Sequence, residues 1–246
     1  MTTTVALTYL AFHAVFLAPP VATLASTAAV RSAGDWRRTL GLGVPLMILL
    51  ALAYTTPWDN YLIARGVWWY GEGAVATTIW RAPVEEYLFI AVQPVLTALW
   101  LAHLDTPGSA ADALPLGLSV RDRLLGAAGG AAVGLVGAWL LGADPTFYLG
   151  AILLWAAPVL ALQWAFGWPY LWRARRTVAL AVAVPTAYLC LVDRIALWGD
   201  VWIIADRYTT GLTIAGLPVE EATFFLATNL FLVQGLVLLR WVLRRW

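Results

Sequence analysis

Seven apolar stretches alternate with short polar ones along the chain, at roughly 4–29, 39–57, 83–102, 124–142, 147–167, 177–197 and 215–239. Each is close to the length of about 20 residues that a helix needs to cross the hydrocarbon core of a bilayer. The pattern predicts an all-α integral membrane protein with about seven transmembrane helices, and hence a multi-pass protein of the cell membrane. Pro19, Pro20, Pro94, Pro158 and Pro185 fall inside these stretches. Each removes a helical hydrogen bond and predicts a kink that neighbouring helices must satisfy.

Composition agrees with this pattern. Of the 246 residues 62% are hydrophobic and 12% charged, about half the charge of a soluble domain. The net charge of +1 gives no reason to expect nucleic acid as a partner. The one cysteine, Cys190, excludes an internal disulfide and a cysteine-based metal site. All 15 basic residues are arginine. Without lysine there is no side-chain amine for a Schiff base, so a retinal protein of the usual seven-helix kind is excluded. The N-terminal MTTTVAL lacks a basic region and does not read as a cleaved signal peptide.

Arginine placement predicts orientation. Arg31, Arg37, Arg38, Arg121, Arg123, Arg173, Arg175, Arg176, Arg240, Arg244 and Arg245 fall on one side, and Arg65, Arg81, Arg194 and Arg207 on the other. Eleven against four puts the N-terminus outside and the C-terminus inside.

An internal repeat underlies the helices. Pro-Val-Glu-Glu occurs at 83–86 and again at 218–221. Asp59 and Asp193 recur at the same offset less one position, as do Trp68 and Trp202. The difference is a small insertion between the aspartate and Pro-Val-Glu-Glu. The chain therefore divides into a first half at 1–102, a linker with the fourth helix at 103–142, and a second half at 143–246. One linking helix leaves the two three-helix units parallel, a 3+1+3 arrangement with its site expected between the halves. Gly126, Gly130 and Gly134 give the fourth helix a small-residue face for close packing. The Ala-, Pro-, Asp- and Gly-rich stretch 103–120 reads as a flexible linker.

Glu85, Glu86, Glu220 and Glu221 open the third and seventh stretches. A carboxylate in the first turn of a helix, after a proline, has an ordinary structural explanation in the helix dipole. Two such pairs at equivalent places in a duplicated membrane fold point instead to function, because ionisable groups at membrane depth are costly. Glu85 and Phe89 share a helix face at spacing i, i+4, as do Glu220 and Phe224. Asp59 and Asp193 end the second and sixth stretches on the same side. Six carboxyl groups thus gather near one face, an arrangement able to offer a proton and accept one. Among the 15 tryptophans, most fit an interfacial belt; Trp58, Trp68, Trp69, Tyr70 and Trp80 cluster between Asp59 and the first Pro-Val-Glu-Glu, Trp198 and Trp202 sit in the matching stretch, and some of these rings are candidates to present π faces to a cation.

The run Pro57-Trp58-Asp59-Asn60-Tyr61-Leu62, the two Pro-Val-Glu-Glu elements, and Phe224, Phe225, Thr228 and Asn229 resemble the membrane-integral lycopene cyclases, in their fused form, over nearly the whole chain. The second half departs from the first, since Arg194 and Ile195 follow Asp193. The resemblance implies ring closure at the ends of lycopene without net redox change. A carboxylic acid protonates the terminal double bond, the C5–C6 double bond attacks the cation, and a carboxylate removes a proton to leave a β or ε ring. The catalytic set it implies is Glu85 and Glu220 first, then Glu86, Glu221, Asp59 and Asp193. Trp58, Asn60, Tyr61, Trp68, Trp69, Phe89, Trp202, Phe224, Phe225 and Asn229 are expected around the substrate or cation. No cofactor and no metal are expected. Lycopene in the bilayer is the expected partner, together with membrane lipids; a homo-oligomer or contact with other carotenoid-pathway enzymes is compatible.

Three other classes fit less well. A transporter or proton channel would use acidic pairs in a pseudo-symmetric bundle, but the acids cluster toward one side and leave no relay across the membrane. A prenyltransferase would need Asp-rich motifs for magnesium and diphosphate. A flavin-dependent cyclase would need a nucleotide-binding glycine motif. Neither is present.

Overall fold

A computed structural model of the chain describes residues 7–31, 34–104 and 117–245. The first residues of the expected 4–29 stretch and residues 105–116 of the expected linker lie outside the described residues.

Among the described residues, seven helices are long and apolar enough to cross a membrane. Helix α1 runs over Tyr9–Phe12, passes through a π-helical turn at His13–Leu17 and continues over Ala18–Arg31. Helices α2 (Gly34–Arg65), α3 (Val84–Ala102) and α4 (Val120–Leu140) follow. The last three are α5 (Phe147–Arg173), α6 (Arg175–Trp198) and α7 (Val219–Leu243). Helix α2 is longer than the expected 39–57. It continues through Pro57 and keeps Trp58, Asp59 and Asn60 inside the helix. In the most apolar window of α3 and of α7, 50% of residues are buried, against 17% in α1 and α2. Helices α3 and α7 are therefore the inner pair.

Pro20 has no N–H for the carbonyl of Phe16 one turn back. Tyr188 of α6 fills that place, its hydroxyl donating to Phe16 O at 2.5 Å. Tyr54 of α2 donates in the same way to Trp155 O of α5 at 2.8 Å. Tyr54 and Tyr188 stand at the same offset as Asp59 and Asp193, and Phe16 and Trp155 sit at matching places in the first helix of each half.

Between α2 and α3 lie the strands β1 (Trp68–Tyr70), β2 (Thr78–Ile79) and β3 (Ala82–Pro83); between α6 and α7 lie β4 (Trp202–Ile204), β5 (Thr213–Ile214) and β6 (Leu217–Pro218). Hairpin β2–β3 pairs Thr78 with Pro83, and β5–β6 pairs Thr213 with Pro218 in the same register. Both turn on a residue at positive φ, Trp80 at 60° and Ala215 at 53°. Strands β1 and β4 pair antiparallel across the two units, Trp68 with Ile204, Trp69 with Ile203 and Tyr70 with Trp202. Trp69 and Ile203 are repeat equivalents, so matching residues meet at the centre of this ribbon. The amide of Tyr9 donates to Ala74 O at 2.8 Å, which seats the start of α1 under the same cap.

Helix α4 packs on α5 through its glycines. A methyl group at Gly126 or Gly130 would collide with the backbone of Trp164 or Ala161, and one at Gly134 would lie 2.9 Å from Ala157 Cβ. The small-residue face expected from spacing is the contact face.

Candidate active site

Each proline before an acidic pair is extended, Pro83 at φ −69° and ψ 157°, so the helix begins one residue later and both glutamates fall in its first turn. Neighbours on a helix point about 100° apart. The two glutamates of each pair consequently have different surroundings.

Glu85 and Glu220 turn toward the loops before their helices. Glu85 Oε1 accepts from the amide of Ala76 at 2.8 Å. Glu220 Oε1 accepts from the amide of Thr210 at 2.7 Å and its hydroxyl at 2.8 Å. Ala76 and Thr210 are again equivalent positions of the repeat. Both carboxyls are buried, with the second oxygen of each unpartnered.

Glu86 and Glu221 turn inward, onto a cavity lined from α1, α2, β1, α3, α5, α6, β4 and α7. Asp59 from α2 and Asp193 from α6 complete its acidic lining. Both aspartates are buried, at 4% and 1% exposure, not solvated helix ends. No basic residue is among the lining residues. Three tyrosines surround the acids: Tyr9 of α1, Tyr70 of β1 and Tyr148 of α5. Tyr9 and Tyr70 each donate a phenol hydrogen to Glu86 Oε2 at 3.0 Å. Tyr148 faces Glu221. Trp68 Nε1 donates to the Tyr70 hydroxyl at 3.3 Å. Its counterpart Trp202 donates to Asp193 Oδ1 at 3.0 Å. Burial, reinforced by the carboxyls of Glu86 and Asp59, pushes the Tyr70 phenol well above its ordinary range, so it remains a donor.

The remaining wall is mostly aromatic, with Leu189, Val192 and Ile204 between the rings. Trp58, Trp68, Phe89, Trp202, Phe224 and Phe225 all line the cavity, as expected from sequence. Trp58 stacks on Phe224 at 5.9 Å with planes 5° apart and on Trp155 at 4.8 Å. Since Glu86 and Glu221 face inward, the aromatic face they share is Glu86 with Phe89 (i, i+3) and Glu221 with Phe224 and Phe225 (i, i+3 and i, i+4). This is a rotation by one position from the expected Glu85–Phe89 and Glu220–Phe224 faces.

Besides Glu85 and Glu220, four expected residues lie off the cavity. Tyr61 and Trp69 are exposed, at 54% and 48%, and point away from it. Asn60 holds hairpin β2–β3, its Oδ1 accepting from the amides of Arg81 at 2.8 Å and Ala82 at 3.1 Å. Asn229 lies deeper between α3, α6 and α7. Its Oδ1 accepts from Gln93 Nε2 at 2.8 Å and Thr97 Oγ1 at 2.7 Å, and its Nδ2 donates to Thr186 Oγ1 at 3.0 Å. A fully satisfied buried network of this kind fixes the helices to one another.

Tyr9, Phe12 and Tyr148 were not expected at the site. A signal for the tyrosines exists: Tyr9-Leu10 and Pro19 recur, with their own spacing kept, as Tyr148-Leu149 and Pro158.

The fold and the cavity thus define a multi-pass membrane protein with carboxyl groups, phenols and aromatic rings gathered in one buried space. A sequence model described as lycopene cyclase matches residues 3–104 and 145–238. The chain belongs to the lycopene cyclase family. It is 53% identical over 238 residues to the lycopene beta-cyclase of Halobacterium salinarum, covering 97% of this chain and 98% of that protein. It is 34% identical over 211 residues to a bifunctional lycopene cyclase/phytoene synthase of Aspergillus niger, covering 78% of this chain and 34% of that protein. A protein of the same description from Blakeslea trispora is 32% identical over 241 residues, covering 92% of this chain and 38% of the relative. No solved structure matches the chain.

Proposed function

We propose that this chain is a lycopene β-cyclase that closes the end rings of lycopene by acid–base chemistry in the cavity between its halves. The observation that carries this reading is the meeting of Asp59, Glu86, Asp193 and Glu221 with Trp58, Trp68, Trp202 and Phe224 in one buried space. Ring closure needs a proton donor, a base, and surroundings that tolerate a cation while excluding water. Carboxyl groups supply the first two. Aromatic faces supply the third.

A hydrocarbon substrate dissolves in the bilayer and reaches such a site from it, so the substrate class and a cell-membrane location belong together. Glu86 and Glu221 are the leading acid–base pair, with Asp59 and Asp193 beside them. Glu85 and Glu220 hold the loops that cap the cavity. Asn60 and Asn229 position the backbone around it. The chain works with its own side chains as acid and base, without a cofactor.

The parallel 3+1+3 organisation is part of the same reading. The matched stretches 3–104 and 145–238 leave out the linking helix. The hairpins repeat in register and β1 pairs with its own counterpart β4. The arginine bias supports an orientation with the N-terminus and the capped end of the cavity outside and the C-terminus inside. One composite site then serves both ends of lycopene in turn.

Expression in a bacterium that accumulates lycopene tests the function. Conversion of lycopene to β-ring carotenoids, shifting colour from red toward orange or yellow, is expected. Unchanged lycopene beside folded, membrane-inserted protein would contradict it.

A further inference from the structure

The two inward glutamates are equivalent in backbone position but not in hydrogen bonding. Glu86 accepts from two phenols, Tyr9 and Tyr70, each at 3.0 Å. Glu221 has Tyr148 in the place of Tyr9. At the repeat position equivalent to Tyr70 the chain has Ile204, which also lines the cavity and has no hydrogen to donate. The indoles differ in the same sense. Trp68 donates to Tyr70 and so supports the chain of donors ending on Glu86. Trp202 donates to Asp193.

An ionised carboxylate only accepts hydrogen bonds, whereas a protonated one must also place its own hydrogen. Two O–H donors converging on Oε2 of Glu86 fit a group that works as carboxylate. A single donor leaves Glu221 free to hold a proton and aim it at substrate. We propose that Tyr70, with Tyr9, holds Glu86 as the base of the reaction, and that Glu221 is the acid. This assignment rests on the cyclase reading above.

The Glu221 O–H bond breaks and the C1–C2 π pair of the ψ end takes the proton at C2, leaving a cation at C1. The C5–C6 π pair forms the C1–C6 bond and moves the cation to C5. The C6–H bond breaks toward Glu86, and its electron pair restores the C5–C6 double bond of a β ring. Glu221 ends ionised and Glu86 protonated. Return of that proton across the cavity resets the site, with no oxidant or reductant.

Tyr70 is a positioning residue in this scheme, and its effect is read in the pH dependence of turnover. Glu86 is faced by Tyr9 of α1, Asp59 of α2, Tyr70 of β1, Glu85 of its own helix, Asp193 of α6 and Glu221 of α7. Glu221 is faced by Tyr148 of α5, Cys190 and Asp193 of α6, Glu220 of its own helix and Glu86 of α3. Losing a phenol donor raises the proton affinity of the carboxyl it served. A base must be ionised, so its titration sets the acidic limb of the profile; an acid must be protonated and sets the alkaline limb.

The experiment is the pH–rate profile of β-ring formation from lycopene in proteoliposomes of the full chain. Wild type, Tyr70→Phe and Tyr148→Phe are compared, with Tyr9→Phe as a second route to Glu86 where Tyr70→Phe fails to fold. In Tyr70→Phe or Tyr9→Phe the acidic limb should move up by about 0.5–1 pH unit. In Tyr148→Phe the alkaline limb should move up instead. The reverse pattern would overturn the assignment. So would loss of rate at every pH with both limbs fixed, which marks the tyrosines as structural. Absence of β-ring product from wild type would sink the cyclase reading itself and the assignment with it.

Discussion

Around Glu86 the first half of the molecule gathers Tyr9 and Tyr70; around Glu221 the second supplies Tyr148 and, where Tyr70 would fall, Ile204. The backbone features that place the two glutamates are the same in both halves: an extended proline, a short hairpin, and a first-turn neighbour tied to the preceding loop. The local frame around the two glutamates is alike while the hydrogen-bond donors differ. A site lined from two such frames can thereby assign different tasks to its carboxyls without altering the fold.

The largest effects are expected where both halves contribute alike. Asp59→Asn and Asp193→Asn each remove a buried ionisable group from the cavity and should each lower turnover roughly 100-fold or more, the scale of acid–base contributions. Pigment yield per unit of membrane-inserted protein measures this. If one aspartate is dispensable and the other is not, the asymmetry of the halves extends further than the glutamates.

Smaller effects should separate cavity tryptophans from belt tryptophans. Trp58→Ala removes a ring stacked on Phe224 at the cavity wall. A loss of about 3- to 30-fold in rate is expected, the range of a cation–π contact. Trp69→Ala, at an exposed position of the same half, should leave the rate near wild type. Equal losses would argue against a cationic intermediate beside Trp58.

The smallest contrast lies at the hairpins. Asn60 holds the amides of Arg81 and Ala82, whereas its counterpart Arg194 lies against Gly216 of the second hairpin. Asn60→Ala should destabilise the protein by about 1–3 kcal/mol through the two amides left unpaired. Arg194→Ala should stay within about 0.5 kcal/mol. Thermal inactivation of the detergent-solubilised variants compares them, and equal stability losses would show that the second hairpin depends on its arginine as much as the first on its asparagine.

The hydrophobic pattern made the seven helices legible, because membrane spans need long apolar runs and little else. The repeated Pro-Val-Glu-Glu and the matched aspartates likewise pointed to elements that meet at one cavity. The choice between adjacent glutamates was not legible. It depends on the rotation of α3 and α7 about their axes, and helices apolar on nearly every side offer no amphipathic face from which to read it. Asn60 and Asn229 were named only through the family resemblance. Their partners, Gln93, Thr97, Thr186 and the Arg81 and Ala82 amides, come together only through tertiary packing. Tyr9 and Tyr148 were hidden because the repeat offset lengthens at the first helix of each half, out of step with the one that relates the aspartates and the acidic pairs.

A single site to which each half gives one inward glutamate requires both glutamates for the closure of either ring. Glu86→Gln and Glu221→Gln keep size and remove the ionisable group; Glu85→Gln and Glu220→Gln keep an acceptor for the loop. The direct measurement is a chromatogram of pigments from lycopene-accumulating cells expressing each variant, with membrane abundance matched. Glu86→Gln and Glu221→Gln should each leave lycopene with neither end closed, while Glu85→Gln and Glu220→Gln still yield bicyclic product. Abundant monocyclic carotenoid from Glu86→Gln or Glu221→Gln would contradict the single site and show that each half closes a ring by itself.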